Sequence, residues 1–224
     1  MHRAATVADR GAVRALRLEV LRAQGDIGPR DDERIGDEHD AAPNSIVFLL
    51  TRHASPVGTT RTSLSAPPRR RALPAEATYP SELAALGPAS TIVEASLTLV
   101  RVSSQVDPTT VLLHLAKAHM LACAAGEADW LVAAVRESQI GFYRRMFNME
   151  ILSGAEAYGE LAAPRVLMGL DYRSQAALLF RRMPALAVTD DDVREFAESG
   201  RVAFAEPRRD SSSRRAPPHL PAGR

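Results

Sequence analysis

Thr91-Ile92-Val93-Glu94-Ala95-Ser96-Leu97-Thr98-Leu99-Val100-Arg101 reads as one long β-strand. Side chains alternate across a strand, so Val93, Ala95, Leu97 and Leu99 are expected on one face, and Glu94, Ser96 and Thr98 on the other. A carboxylate on the polar face of an otherwise apolar strand is either solvated, paired with an arginine, or used in chemistry. Downstream, Asp107-Pro108 opens a helix to about Ala125, with proline suited to the first turn and Gly126 as the stop. Trp130 to Val135 is a short apolar strand of the buried kind. Ser138 to about Phe147 is helical, and Glu150 to Ser153 and Val166 to Tyr172 are further strands. Gln175 to Met183 is an amphipathic helix, and Thr189 caps another reaching about Ser199.

Upstream, Val13, Leu16, Val20 and Leu21 recur at helical spacing behind Asp9 as a candidate N-cap, with Gly25 as the stop. The acidic stretch Gly28 to Asn44 is a loop or a short helix. Ser45 to Thr51 and Val57 to Ser65 form a hairpin across His53-Ala54-Ser55-Pro56. Ala66 to Pro80, with four prolines around Arg69-Arg70-Arg71, is a long excursion, either a mobile lid or an insertion. The order helix, hairpin, long strand, helix, strand, helix, two strands describes a single α/β domain over residues 1–205 with a mixed central sheet flanked by helices. The Pro-, Ser- and Arg-rich segment 206–224 has little to bury and is expected to be disordered.

Bulk properties narrow the function. A formal net charge of +1 gives no global field toward nucleic acid or membrane. Cys123 is the only cysteine, which excludes an intrachain disulfide and a four-cysteine metal site, and no other metal site is expected. No apolar run approaches a membrane span, and the first residues lack a secretory signal, so a cytoplasmic location is expected.

Local motifs resemble the GNAT acyltransferases. Ala5-Thr6-Val7-Ala8-Asp9 with Val13 and Leu16-Arg17 is similar to their first strand and helix. Gly141-Phe142-Tyr143-Arg144-Arg145-Met146-Phe147-Asn148-Met149-Glu150 is similar to their C-terminal signature, with Asn148 in the glycine position. Asparagine tolerates the left-handed backbone that this helix-to-strand turn needs. Asp37-Glu38-His39-Asp40, Ser45 to Leu50, Gly58-Thr59-Thr60-Arg61 and Val93-Glu94-Ala95-Ser96 resemble two groups within that superfamily. These are the N-acyl amino acid synthases and the acyl-homoserine-lactone synthases. Leu97 departs from the arginine common there. The Arg101 to Pro108 segment lacks the glycines with which acetyl-CoA-dependent members bind pyrophosphate.

The resemblance implies a three-layer GNAT-like fold and transfer of a fatty acyl group from an acyl carrier protein or acyl-CoA thioester to the amine of a small acceptor. It implies no permanently bound cofactor. Glu94 would serve as general base and Tyr143 as a donor near the departing sulfur, while Asp37, Asp40, Arg61 and Ser96 would bind substrate. The bland readings are a paired strand carboxylate, a core tyrosine, a solvated acidic loop and a surface arginine. His114, His119 and Cys123 read as packing or surface residues. Arg69-Arg70-Arg71 either docks an acidic carrier or solubilises a loop. A non-catalytic acyl-binding or protein-interaction module on the same fold is the alternative.

Overall fold

The computed structural model describes residues 1–28, 38–102, 107–199 and 202. Its seven strands are β1 (His2–Arg3), β2 (Ser45–Arg52), β3 (Ser55–Ser65), β4 (Ile92–Val100), β5 (Trp130–Val135), β6 (Glu150–Glu156) and β7 (Arg165–Asp171). They form one sheet in the order β1-β2-β3-β4-β5-β7-β6. Only β4 and β5 run parallel, and every other pairing is antiparallel. The helices are α1 (Val7–Ala23), α2 (Pro80–Ala85), α3 (Pro108–Ala125), α4 (Ile140–Phe147), α5 (Tyr172–Arg182) and α6 (Asp190–Ser199).

The two faces of the sheet are covered by different parts of the chain. On one face, Val13, Leu16, Val20 and Leu21 of α1 pack against Leu49 and Leu99, while Leu73, Ala75, Tyr79 and Leu83 cover Ile92, Val132 and Leu167. On the other, α3, α4 and α5 enclose Val93, Ala95, Leu131, Ala133, Met168 and Leu170. Phe196 of α6 stacks on Phe48 at 5.9 Å. Burying strands on both faces in this way makes a three-layer α/β domain with a mixed sheet. Gly58 is needed where α3 crosses β3, because a Cβ there would lie 2.8 Å from Val111 Cγ1. Lys117, the only lysine, is buried and ties α3 to α6 through Asp192 at 3.2 Å.

Several expectations are corrected. Helix α1 is capped by Thr6, and Asp9 sits three residues on as the reciprocal partner of a capping box, its carboxyl lowered to about 2 by the Thr6 hydroxyl and backbone N–H. The hairpin turn is tighter than His53 to Pro56, because His53 and Ala54 both take positive φ (48° and 63°) and match the strand twist. The 66–80 excursion is a packed insertion rather than a mobile lid, since Leu73, Ala75 and Tyr79 are buried and Tyr79 donates its hydroxyl hydrogen to the Arg165 carbonyl. Asn148 caps α4 at φ 56°, as its sequence position requires. Residues 29–37 of the acidic stretch and the whole segment 206–224 lie outside the described residues, as do 103–106 of the loop without glycines.

Candidate active site

The long strand does not alternate cleanly. Leu97 has φ 48°, and the pairing slips between Thr59↔Leu99 and Arg61↔Ser96, which marks a β-bulge. A bulge inverts the facing of every residue beyond it. Thr98 therefore turns to the α3 face, its hydroxyl 2.7 Å from that of Thr60, while Leu99 joins the α1 cluster. This corrects the expected assignment of Thr98 with Glu94 and of Leu99 with Val93.

The parallel ladder between β4 and β5 runs from Ile92↔Trp130 to Ala95↔Ala133 and stops there. Beyond it the strands part. The gap, about 60 Å³, is lined by Ser96, Leu97 and Thr98 on one side and by Ala134, Val135 and Arg136 on the other. Peptide groups along the facing edges are thus available to a bound molecule instead of to a neighbouring strand. On the α1 face the gap shares Ser96, Leu97, Tyr158 and Leu161 with a larger cavity of about 360 Å³. That cavity is mostly apolar (Leu21, Ile27, Pro74, Leu161), with Arg61, Glu38, His39 and Glu160 as its charged or ionisable wall residues. Its size is that of a small-molecule site. On the α3 face the gap shares Ala95, Thr98, Ala133 and Tyr143 with a narrow apolar pocket reaching Leu112, Met120 and Met149.

Arg61 is the best-anchored of these groups. It is only 2% exposed, donates from Nε to Ser96 Oγ at 2.9 Å, and places Nη1 3.1 Å from Asp40 Oδ1. Asp40 is shared with the buried Arg17 of α1, whose Nη2 lies 3.1 Å from the same Oδ1. Sequence-expected Asp40, Arg61 and Ser96 therefore do converge, but Asp40 stands behind Arg61 and is not on the cavity wall. Asp37 falls outside the described residues.

Glu94 lies on the same face as Ser96 and Arg61 and is fully buried. Its Oε2 accepts the Ala75 N–H at 2.9 Å and its Oε1 accepts from the Tyr158 hydroxyl at 3.3 Å. The insertion thus closes over a carboxylate that was expected to border the site directly. Tyr143, at the seam between gap and apolar pocket, packs edge-on against Phe142 and near Phe147. Burial raises its phenol to about 12, so it is protonated at any working pH.

Three features escaped the sequence. Tyr158 sits on the loop between β6 and β7, turned by Gly159 at φ 54°, in a stretch without periodicity. Asp26, buried to 1%, joins Arg136 (2.5 Å) to Arg165 (2.7 Å) and accepts the Ala163 N–H, which knits the end of α1, the end of β5 and the Tyr158 loop together. A carboxylate so buried survives because both cations and a backbone donor satisfy it. The third is the hydroxyl cluster around His119, itself expected as a packing or surface residue. His119 is buried, with Nδ1 2.8 Å from Thr62 Oγ1 and Nε2 3.0 Å from Thr60 Oγ1, and desolvation lowers its pKa to about 3. Cys123 is buried, with its thiol pushed up by desolvation, as a packing residue should be.

Among the described residues no cluster has metal-site geometry, and no helix is long and apolar enough to cross a membrane. No curated protein matches the chain in sequence. Among solved structures, it is similar to FeeM, an N-acyl amino acid synthase from uncultured soil microbes, at 19% identity and a TM-score of 0.64 over 76% of this chain and 96% of that one. TofI, solved in a ternary complex with an inhibitor and MTA, aligns at 19% identity and a TM-score of 0.55 over 83% and 97%. The CoA-dependent acyl-homoserine lactone synthase BjaI, with SAM and isopentyl-CoA, aligns at 18% identity and 0.51 over 81% and 87%. These likenesses show the GNAT acyltransferase fold. The sequence profile of the N-acyl amino acid synthase FeeM matches residues 12–171, a span holding the gap, the cavity and all of Asp40, Arg61, Glu94, Ser96 and Tyr143. That match favours an N-acyltransferase over a non-catalytic binding module, and the chain belongs to the FeeM family of N-acyl amino acid synthases.

Proposed function

We propose that this chain joins a long acyl group, delivered as the thioester of an acyl carrier protein or of CoA, to the α-amine of an amino acid. The observation that carries the reading is Arg61. It is a guanidinium fixed by Asp40 and Ser96 on the wall of an apolar cavity that opens onto the gap between β4 and β5. A fixed planar fork beside apolar walls suits a carboxylate bearing an uncharged side chain.

In this scheme the thioester lies along the gap, where backbone N–H groups at the Leu97 bulge polarise its carbonyl. The fatty chain runs toward Leu112, Met120 and Met149. That pocket is about 20 Å³ and must widen to take it, and flexible methionines suit such a wall. The acceptor carboxylate meets Arg61, with Ser96 and Asp40 holding the guanidinium. Glu94 is the final acceptor of the amine's proton, and Tyr143 stands where the thiolate departs and can protonate it. Catalysis then rests mainly on holding the two substrates in register.

Arg69 and Arg71 are exposed and fit an acidic carrier protein. Arg70 does not, because its guanidinium is committed to the carbonyls of Gly87, Pro88 and Ser90.

The test incubates the purified chain with long-chain acyl carrier protein or acyl-CoA and each proteinogenic amino acid, and follows products by mass spectrometry. The expected result is an N-acyl amino acid formed mole for mole with free thiol. Thiol release accompanied only by free fatty acid, or no turnover of either donor, overturns the reading.

A further inference from the structure

We propose that Tyr158 relays the proton from the acceptor amine to Glu94. The inference rests on the function proposed above and adds the route by which a buried carboxylate reaches the substrate. Glu94 is fully buried and absent from the cavity wall, with the Ala75 N–H on one oxygen. Its other oxygen accepts from the Tyr158 hydroxyl at 3.3 Å. Tyr158 lines both the cavity and the gap, and its hydroxyl bond to Glu94 links the buried carboxylate to their shared wall.

The placement of that hydroxyl is supported from below. The Tyr158 ring packs on the Tyr79 ring at 6.3 Å with 30° between planes. Tyr79 in turn donates to the Arg165 carbonyl, and the Arg165 side chain is pinned by Asp26 at 2.7 Å. A separation of 3.3 Å is long for an O–H···O bond, and catalytic hydrogen bonds commonly tighten once substrate is bound.

The acceptor arrives as an ammonium ion, which has no lone pair to attack with. One N–H bond breaks as its proton moves to Tyr158 Oη, and the original Oη–H breaks as that proton moves to Glu94 Oε1. The products are a neutral amine, an unchanged neutral phenol and a protonated Glu94. The amine attacks the thioester carbon, the C–S bond breaks, Tyr143 gives its proton to the thiolate, and the second nitrogen proton returns to Tyr143 to leave amide and thiol. Glu94 returns its proton to solvent by the reverse path. Tyr158 is never an anion, so its acidity does not limit the relay.

Tyr158→Phe keeps the ring and removes the hydroxyl. The expected result is a fall in kcat of roughly 10²-fold at neutral pH, with KM for the acceptor little changed, as for loss of a proton-transfer group. The deficit should shrink as pH approaches the amine's own pKa, and with an acceptor amine already neutral at pH 7, because no proton then needs the relay. Tyr158→Met, measured the same way, guards against a folding defect in the first variant, and melting temperatures are taken for both. A deficit that stays constant across pH and acceptor basicity means that Tyr158 only shapes the loop, and overturns the relay. Full turnover in both variants overturns it too. Either outcome leaves the Glu94 assignment standing if Glu94→Gln is inactive, whereas an active Glu94→Gln removes that assignment whatever Tyr158 does.

Discussion

The two faces of β4 meet the same neighbouring strands and do different work. On the α1 face, Arg61 and Ser96 line a cavity that opens on a gap in the sheet, with the Glu94 carboxylate buried behind them. On the α3 face, Thr60, Thr62 and Thr98 gather around the neutral His119 with no formal charge among them. The bulge at Leu97 separates the two. Without it Thr98 would point at the cavity and the hydroxyl–imidazole cluster would lose a member. One face holds charge where a substrate can use it. The other satisfies its polar groups internally, which fixes the bend that keeps β4 and β5 apart.

The largest expected difference between the faces is in turnover. Glu94→Gln should lower kcat by roughly 10²- to 10⁴-fold, as loss of a general base does, with the melting temperature little changed because the amide still accepts the Ala75 N–H. Equal activity in a steady-state assay would place the proton acceptor elsewhere. On the opposite face the effect should be on stability. His119 keeps a folded pKa of about 3 against 6.5 for the ordinary side chain, so between these values the unfolded chain binds a proton that the folded one refuses. Stability is therefore lost as pH falls from 6.5, by about 2–3 kcal/mol on reaching pH 4.5. Denaturant titrations of the wild type and His119→Gln should diverge across that window. Parallel curves would show that the imidazole is not the group responsible.

The boundary itself is testable with smaller changes. Leu97→Gly should be neutral or stabilising within about 1 kcal/mol, because glycine accepts positive φ, whereas Leu97→Val should cost roughly 1–3 kcal/mol. Thermal unfolding of both variants checks the order, and the reverse order would argue against the bulge. Smallest of all, Arg69→Ser with Arg71→Ser should slow association with an acyl carrier protein several-fold at low salt and leave turnover of acyl-CoA unchanged. Stopped-flow binding at two ionic strengths distinguishes docking from mere solubility.

Much of this architecture is legible in the residues. Periodicity places the helix from Pro108 to Ala125 and the strand from Trp130 to Val135 at their observed bounds, and Asn148 announces its left-handed cap. Arg61, Ser96 and Asp40 are found through the resemblance of their motifs to the family and do converge. The bulge is not legible, because leucine carries no preference for positive φ and a clean alternation of residue types runs straight through it. Nor is the burial of Glu94, which depends on Ala75 and Tyr158, residues 19 and 64 positions away. Contacts of that range are set by how an aperiodic insertion and a loop pack, and local pattern does not encode them.

The cavity account is tested most directly by comparing an amino acid acceptor with the amine left when its carboxylate is removed, in the wild type and in Arg61→Met. Charge-assisted hydrogen bonds to a carboxylate contribute about 1.5–3 kcal/mol, so the wild type should prefer the amino acid by roughly 10- to 100-fold in kcat/KM. In Arg61→Met that preference should vanish while the simple amine reacts as before. A preference of the same size in both proteins would contradict the account, because the acceptor carboxylate would then be held by something other than Arg61.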